Sequence, residues 1–273
     1  MTLTSSPAGA ALHFAHGAVL PARTVVAADG VHSRVRARLF PDARVAVLPL
    51  VALNGKRRVS RAVYAAAYAP HMARSTVLAM TVRDARLGIS LDSRPAGSDA
   101  DADADADVSI SWTYSRPPRG ADDALHRPDR SNAAARDIPE AFFREVGALG
   151  DLPPPFAHVF SADKVRGDRV LHWLMRRSLV PLEELKSVWK QSRVVVLGDA
   201  AHAVPILGGD GANSAILDAL RGAEVLARMV EGEGGEGVER MYEERYAEWE
   251  RGWRDGEERM REMHDVGVRE PRM

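Results

Sequence analysis

A short apolar strand followed by a glycine-rich bend restricts the fold of this chain more than any other feature. Residues 194–197 form an unbroken aliphatic run, Val-Val-Val-Leu, which is typical of a parallel strand covered on both faces. The run ends at Gly198, and Pro205, Gly208 and Gly211 follow. Glycine lets a backbone approach a ligand closely, and proline stiffens a loop. The pattern predicts an open α/β sheet with a ligand loop beyond the carboxyl end of this strand.

Asp199 and the start of the next helix belong to the same loop. The helix is predicted over residues 213–230, and a helix start offers unpaired N–H groups and a positive dipole end. A carboxylate in this crevice suits the hydroxyls of a sugar or polyol better than it suits a phosphate. A plain turn is the alternative, but it does not account for the ordered series in this segment. The series is Gly198, Asp199, His202, Pro205, Gly208, Gly211 and Asn213.

This series resembles the second flavin-binding motif of the FAD-dependent aromatic-ring monooxygenases, the family of para-hydroxybenzoate and salicylate hydroxylases. The resemblance implies that Asp199 holds a ribityl hydroxyl of FAD. It also implies that the backbone N–H groups of residues 211–213 face the flavin pyrimidine edge. Ile206 stands where many members have a second proline, which leaves the shape under the flavin ring open. The implied cofactor-binding residues here are Gly198, Asp199, Pro205, Gly208, Gly211, Ala212 and Asn213.

A second stretch resembles another motif of the same family. Residues 28–36 read ADGVHSRVR, with a serine four residues and an arginine seven residues after Asp29. Relatives place this stretch beside FAD and the path of the nicotinamide cofactor. The resemblance implies that Asp29 and Gly30 organise the backbone and that Arg36 binds a phosphate of NADPH or FAD. A strand that ends in Asp-Gly is by itself only a turn, but two motifs in the family's order favour the family.

Composition narrows the function further. The chain has 273 residues, 45% of them hydrophobic, which suffices for one large domain or two modest ones. The net charge of −1 predicts neither a nucleic-acid partner nor an acidic membrane. The absence of cysteine excludes disulfides, thiolate zinc sites and a cysteine nucleophile, and we identify no metal site. No apolar run reaches the ~20 residues of a membrane span, and the N-terminus lacks a signal-peptide pattern. We therefore expect a cytoplasmic protein.

An antiparallel sheet is predicted between the two motifs. Residues 108–115 alternate apolar and polar side chains, the period of a strand with one dry face. Further strands are predicted over 45–53, 59–68, 76–83 and 87–93. Such a sheet roofs the active site in relatives, which makes Trp112 and Tyr114 candidates for the substrate pocket, with the sheet core as the alternative. The aspartate–alanine alternation at 99–107 predicts a disordered loop, since it lacks the glycine turn of a calcium site.

The remaining segments complete a predicted α/β (α+β) fold. We expect a helix over 137–149, a crossing strand within 156–174, and a helix over 213–230 packed on the flavin sheet. The apolar face of that last helix is Ile216, Leu220, Ala223, Ala227 and Val230. The run 232–237 satisfies G-x-G-x-x-G, but it follows a helix and carries glutamates, so it is read as a linker. The segments are a partial Rossmann-like FAD-binding domain (1–43 and 175–230), an inserted substrate domain (44–174), and a linker with a C-terminal helix (231–273).

The resemblance implies an FAD-binding monooxygenase that uses NAD(P)H and oxygen to hydroxylate a small aromatic or conjugated molecule. Relatives begin with a strand, a G-x-G-x-x-G turn and a helix, and no such pattern precedes Ala11. We therefore expect an N-terminally truncated form, with weak FAD affinity and a tendency to aggregate. Another FAD-dependent oxidoreductase of this fold and a non-catalytic fragment are the alternatives. No catalytic residue is assigned, and His202 is interpreted as a hydrogen-bonded structural residue.

Overall fold

The computed structural model describes residues 2–93, 107–208, 210–232 and 234–264 of the 273. The chain divides into two compact units. The first unit comprises Met1–Leu48 and Met175–Arg261, and the second comprises Pro49–Leu174 and Glu262–Met273. Residues 99–106 of the aspartate–alanine alternation, predicted as a loop, lie outside the described ranges. Helices and strands are mixed, and the largest sheet is antiparallel, which confirms the predicted α/β (α+β) fold class.

The first unit opens with a small meander. Its elements up to residue 48 are β1 (Thr2–Ser6), β2 (Gly9–His13), β3 (Val19–Ala22), β4 (Val25–Ala27), α1 (Arg34–Leu39) and β5 (Ala46–Val47). The first three strands form an antiparallel sheet in the order β1-β2-β3. The strand formed by residues 2–6 lacks a clear apolar alternation, so its sequence pattern alone does not indicate a strand. Pro21 is accommodated because β3 is an edge strand.

A serine cap sets the start of α1. The Ser33 hydroxyl accepts a hydrogen bond from the Arg36 N–H at 2.9 Å, so the helix begins at Arg34. The apolar spacing of Val31, Val35 and Leu39 would fit a helix that begins at Val31, but Val31 lies in the preceding turn. The spacing of apolar residues identifies the face of a helix, whereas the cap sets the residue at which the helix begins.

The second unit is built on a five-stranded antiparallel sheet in the order β10-β6-β9-β8-β7. Its elements are β6 (Val51–Val59), α2 (Arg61–Ala67), β7 (Val77–Val82), β8 (Ala85–Ser93), β9 (Val108–Arg116), α3 (Glu140–Gly147), α4 (Phe156–Val159), α5 (Ala162–Arg166) and β10 (Arg169–Trp173). Trp112 and Tyr114 on β9 are at most 1% exposed, and both rings contact Phe142 of α3. They therefore belong to the core of this unit.

Two predicted strands in this unit are wrong over part of their length. The strand predicted over 59–68 stops at Val59, and α2 follows because the Ser60 hydroxyl accepts from the Val63 N–H at 3.3 Å. Tyr64 and Tyr68 resemble strand residues in sequence, but they stack on one helical face, with ring centroids 6.2 Å apart. The strand predicted within 156–174 forms only as β10, after two short helices.

The chain then returns to the first unit. The remaining elements are β11 (Arg176–Arg177), α6 (Leu182–Ser192), β12 (Val194–Val196), α7 (Gly211–Val230) and α8 (Glu236–His264). The predicted parallel strand is confirmed: β12 pairs in parallel with β4, with Val195 opposite Val26, and all three of its valines are at most 1% exposed. The segment after 235 forms α8, which buries Val238 and Trp249 in the core of this unit.

The predicted orientation of α7 is wrong. The five residues expected against the sheet, which we call the α7 stripe, are instead exposed: Ile216, Leu220, Ala223, Ala227 and Val230. The side that is buried carries Asp218 and Gly222. At Gly222 a Cβ would lie 2.9 Å from Cδ1 of Leu197, so glycine permits the contact between α7 and the end of the strand. No helix in the described ranges is both long enough and apolar enough to span a bilayer.

Candidate cofactor site

A cavity of about 690 Å³ lies beyond the carboxyl ends of β4 and β12. This is where parallel α/β sheets place ligands, because the loops that leave the strands diverge there. The ends of both strands, the bend after β12 and one side of α7 line it. The predicted site residues that line it are Gly30, Gly198, Asp199, Pro205, Gly211 and Ala212.

Glycines allow the bend and α7 to lie close together. Gly198 has a φ of +58°, a left-handed conformation that other residues adopt with strain. A Cβ on Gly198 would also lie 3.1 Å from the Cβ of Ala215, and a Cβ on Gly211 would lie 3.2 Å from Cγ2 of Val204. The chain therefore turns sharply at residue 198 and presents residue 199 to the cavity.

The Asp199 carboxylate is the polar group of this cavity that most needs a partner. The residue is partly buried, and among the described residues no hydrogen bond to its carboxylate is assigned. Burial raises the pKa of Asp199, while the charges of His202 and Arg36 act in the opposite direction. A partly desolvated acceptor without a donor is costly. A ligand hydroxyl in the cavity would supply that donor.

The start of α7 contributes hydrogen-bond donors. Gly211 and Ala212 line the cavity, and the helix's first internal bond runs from the Ser214 N–H to the Asp210 carbonyl at 3.1 Å. The N–H groups of residues 211–213 therefore precede the intrahelical ladder and can bind a ligand acceptor. Asn213 itself lines a separate cavity of about 250 Å³.

Arg36 has a different role from the predicted one. Its side chain is buried, at 3% exposure, and it does not line the cavity. The guanidinium donates to the carbonyls of Asp199 at 3.1 Å and Ala200 at 3.3 Å, and also to the Val31 carbonyl. These N–H groups are already used within the protein, so the geometry does not support the predicted phosphate contact. Arg36 instead links the 28–36 stretch to the bend, because its guanidinium donates to the backbone carbonyls of Asp199 and Ala200.

Three further predicted site residues are Asp29 and Gly30 of the 28–36 stretch and Gly208 of the bend. The Asp29 carboxylate accepts from the Arg34 N–H at 3.0 Å, which is the backbone-organising role expected of it. Gly30 has a φ of +80° and lines the cavity. Gly208 closes a short turn, Ile206–Gly208, outside the residues that line it.

Sequence reasoning missed Asp218, a fully buried carboxylate on α7. One of its oxygens accepts from the Gly198 N–H at 3.1 Å and from Nε2 of His202. The other accepts from Nε of Arg245 and Nε1 of Trp249, each at 3.0 Å. The position was detectable in the sequence, because Asp218 is an acid flanked by apolar residues, Leu217 and Ala219.

His202 is confirmed as a hydrogen-bonded structural residue. It is 1% exposed, and its ring stacks on Trp249 with centroids 4.3 Å apart. Burial alone would raise the pKa of Asp218, but its hydrogen bonds and charge interactions with His202, Arg245 and Trp249 lower it below the ordinary value. The carboxylate is therefore ionised behind the bend.

These residues fit FAD. A partly buried carboxylate suits the ribityl hydroxyls, helix N–H groups suit the carbonyl oxygens and nitrogens of a flavin ring, and glycines leave room for close approach. The volume is also within the range of cofactor cavities, roughly 300–1,000 Å³.

Comparisons with known proteins agree with this fit. Residues 175–252 match the family described as FAD binding domain. Over 213 residues the chain is 33% identical to the FAD-dependent monooxygenase aptC of Emericella nidulans, an alignment that covers 78% of this chain and 48% of aptC. The chain is a relative of the FAD-dependent monooxygenases. It spans about half the length of the curated relatives that it matches.

Solved flavoproteins share the fold. The 2,6-dihydroxypyridine-3-hydroxylase of Arthrobacter nicotinovorans matches with a TM-score of 0.70 at 16% identity, over 99% of this chain and 65% of the hydroxylase. HpxO of Klebsiella pneumoniae, solved with FAD and uric acid, matches with a TM-score of 0.63 at 16% identity, over 97% of this chain and 58% of HpxO. These two likenesses concern the fold, while the family expected from the two sequence motifs agrees with the match at residues 175–252 and with the curated relatives.

Proposed function

We propose that this chain carries the flavin-binding bend and the substrate-side sheet of an NAD(P)H- and oxygen-dependent monooxygenase for small aromatic or conjugated molecules. The observation that carries the proposal is the Asp199 carboxylate, which lies without an assigned donor in a cavity that also receives the start of α7. The names of the relatives support the reaction class. The nicotinamide requirement and the substrate class rest on the family resemblance.

The chain's own residues bind and orient the cofactor. The Asp199 carboxylate accepts a hydrogen bond from a ribityl hydroxyl, and the N–H groups of residues 211–213 donate hydrogen bonds to the edge of the flavin ring. Gly30 and Gly198 let the backbone approach the cofactor closely. Pro205 and the apolar side of α7 exclude water from one side of the cavity. When bound, FAD supplies the oxygen and hydride chemistry that amino-acid side chains lack.

We further propose that the two units have separate roles. The first unit, with its β12–bend–α7 segment, binds FAD, and the second unit, with its antiparallel sheet, contacts the substrate. We place the reaction in the cytoplasm, where reduced nicotinamide cofactors are available and a cysteine-free chain needs no disulfide chemistry.

Substitution of Asp199 tests the proposal. In the purified chain, titration with FAD followed by flavin fluorescence should give saturable binding, and Asp199→Ala should raise the Kd at least tenfold. A hydrogen bond to a charged group is worth about 1.5–3 kcal/mol, and ~1.4 kcal/mol is tenfold in affinity. Asp122→Ala is the control, because Asp122 is exposed in the second unit.

Two outcomes would contradict the proposal. One is a Kd for Asp199→Ala within twofold of that of the unmodified chain. The other is no saturable FAD binding by the unmodified chain, which would favour a non-catalytic fragment.

A further inference from the structure

Besides Arg36, one buried carboxylate binds the bend that carries Asp199. Asp218 is fully buried, and its two oxygens receive four donors. Those donors come from the bend, through Gly198 and His202, and from α8, through Arg245 and Trp249. The two oxygens have separate partners: Oδ2 binds the bend and Oδ1 binds α8.

The four groups that bind Asp218 differ in whether they can also accept a hydrogen bond. A backbone N–H, an indole N–H and a guanidinium N–H can only donate. The imidazole of His202 can donate from Nε2, or it can accept there if its proton moves to Nδ1. An ionised carboxylate, which only accepts, satisfies all four partners when His202 carries its proton on Nε2.

We propose that Asp218 is a positioning residue for the cofactor cavity: through Oδ2 it fixes the Gly198 N–H and His202, so that Asp199 is held facing the cavity. This inference rests on the proposed function. Gly198 is the residue immediately before Asp199, and it has the left-handed φ of +58°. Loss of its hydrogen bond would therefore release the conformation that orients the Asp199 side chain.

Asp218→Asn tests this because it removes the charge and keeps the shape. The single amide oxygen should turn to Nε of Arg245, a charged donor that binds it more strongly than a backbone N–H does, and to Nε1 of Trp249. The NH₂ group then faces the bend. His202 adapts by moving its proton to Nδ1, but the Gly198 N–H is left without an acceptor.

Trp249→Phe is the matched control. It removes one donor from Oδ1, retains an aromatic ring beside His202, and leaves both Oδ2 contacts in place. A residue that only braced α8 would respond similarly to both substitutions. A residue that positions the bend would respond mainly to Asp218→Asn.

The measurements are FAD titration and heteronuclear NMR of the purified chain and both variants. We expect Asp218→Asn to raise the FAD Kd at least tenfold, to speed hydrogen exchange of the Gly198 amide, and to move the His202 proton from Nε2 to Nδ1. Trp249→Phe should leave the Kd within twofold, the hydrogen exchange of the Gly198 amide unchanged, and the His202 proton on Nε2. An unchanged Kd and Gly198 amide in Asp218→Asn, or an equal disturbance in Trp249→Phe, would overturn the proposal.

The NMR readouts separate this inference from the proposed function. If the unmodified chain binds no FAD, the proposed function fails, but the Gly198 amide and the His202 ring still report on Asp218. If Asp218→Asn does not fold, the unmodified chain decides. A His202 ring that carries no proton on Nε2 near neutral pH would overturn the inference, because that nitrogen must donate to Asp218.

Discussion

The sheets of the two units differ in what they leave exposed. In the second unit the inner face of a five-stranded antiparallel sheet is covered, and Trp112, Tyr114 and Leu87 are at most 1% exposed. In the first unit β4 and β12 form a two-stranded parallel sheet, and Val26 on β4 is 45% exposed. Parallel strands are normally covered on both faces. In the described chain, the unit that carries the candidate cofactor site therefore leaves apolar surface uncovered.

Buried charge follows a similar contrast. In the second unit, Arg116 is fully buried and binds Asp123 and Glu145, and Arg119 places a second positive charge beside Glu145, so both carboxylates are paired inside that unit. The Arg116 guanidinium holds the pKa of the Asp123 carboxyl well below its usual range. In the first unit, Asp218 is paired with Arg245, but no hydrogen-bond donor among the described residues reaches the Asp199 carboxylate. Complete pairing marks a structural charge, and incomplete pairing marks the candidate ligand contact.

Removal of Arg116 should have the largest effect on stability. Arg116→Met leaves two carboxylates without their buried partner, and breaking such a pair costs about 3–5 kcal/mol. Urea unfolding followed by circular dichroism should show this loss. Arg119→Met is the control: Arg119 is 46% exposed, so its ion pairs with Asp84 and Glu145 contribute less than about 1 kcal/mol each. Equal losses in the two variants would show that burial does not determine the contribution of these charges.

A buried histidine should give the second unit a pH dependence of intermediate size. His172 on β10 is 1% exposed; burial, followed by the charges of Arg130 and Arg127, lowers its pKa from 6.5 to about 4. Between these values the unfolded chain binds a proton and the folded chain does not, so stability falls as the pH drops from about 6.5 to about 4. The full shift corresponds to about 3 kcal/mol.

Urea unfolding at several pH values between 4.5 and 7 measures this slope, with the range itself chosen above the ordinary carboxyl pKa of about 4. His172→Gln should flatten it, while His71→Gln, at an exposed position, should not. A slope that survives in His172→Gln would assign the pH dependence to other groups.

The sequence was sufficient to predict the local structure at the motifs, because that structure depends on neighbouring residues in the chain. The valine run at 194–196 favours a covered strand, which β12 is, and the glycines at 198 and 211 permit the close approach between the bend and α7. The strand at 108–116 was readable because strict alternation has one structural solution. These patterns lie within single elements, so they do not require knowledge of what packs against them.

The predictions for Arg36 and for the orientation of α7 were wrong because both depend on contacts with residues that are distant in the sequence. Arg36 and Asp199 are far apart in sequence, so the bonds from the Arg36 guanidinium to the bend carbonyls could not be read from either motif alone. The orientation of α7 depends on Asp218 finding donors on α8, and apolar periodicity assigns a face without knowing which side a buried ion pair holds. Residues 61–67 formed a helix because the Ser60 cap outweighed the strand preference of Val63 and Tyr64.

Substitution on the α7 stripe should have the smallest effect on stability and should test the comparison most sharply. Leu220 is 57% exposed whereas Leu87 on β8 is fully buried, so Leu220→Gln should change the free energy of unfolding by less than about 0.5 kcal/mol. Leu87→Gln should cost at least the roughly 2–5 kcal/mol of a large-to-small core substitution. Because contiguous exposed apolar surface promotes association, Leu220→Gln should also lower self-association measured by sedimentation velocity. A loss of several kcal/mol in Leu220→Gln would show that the stripe is buried in solution, and the contrast between the two units would then fail.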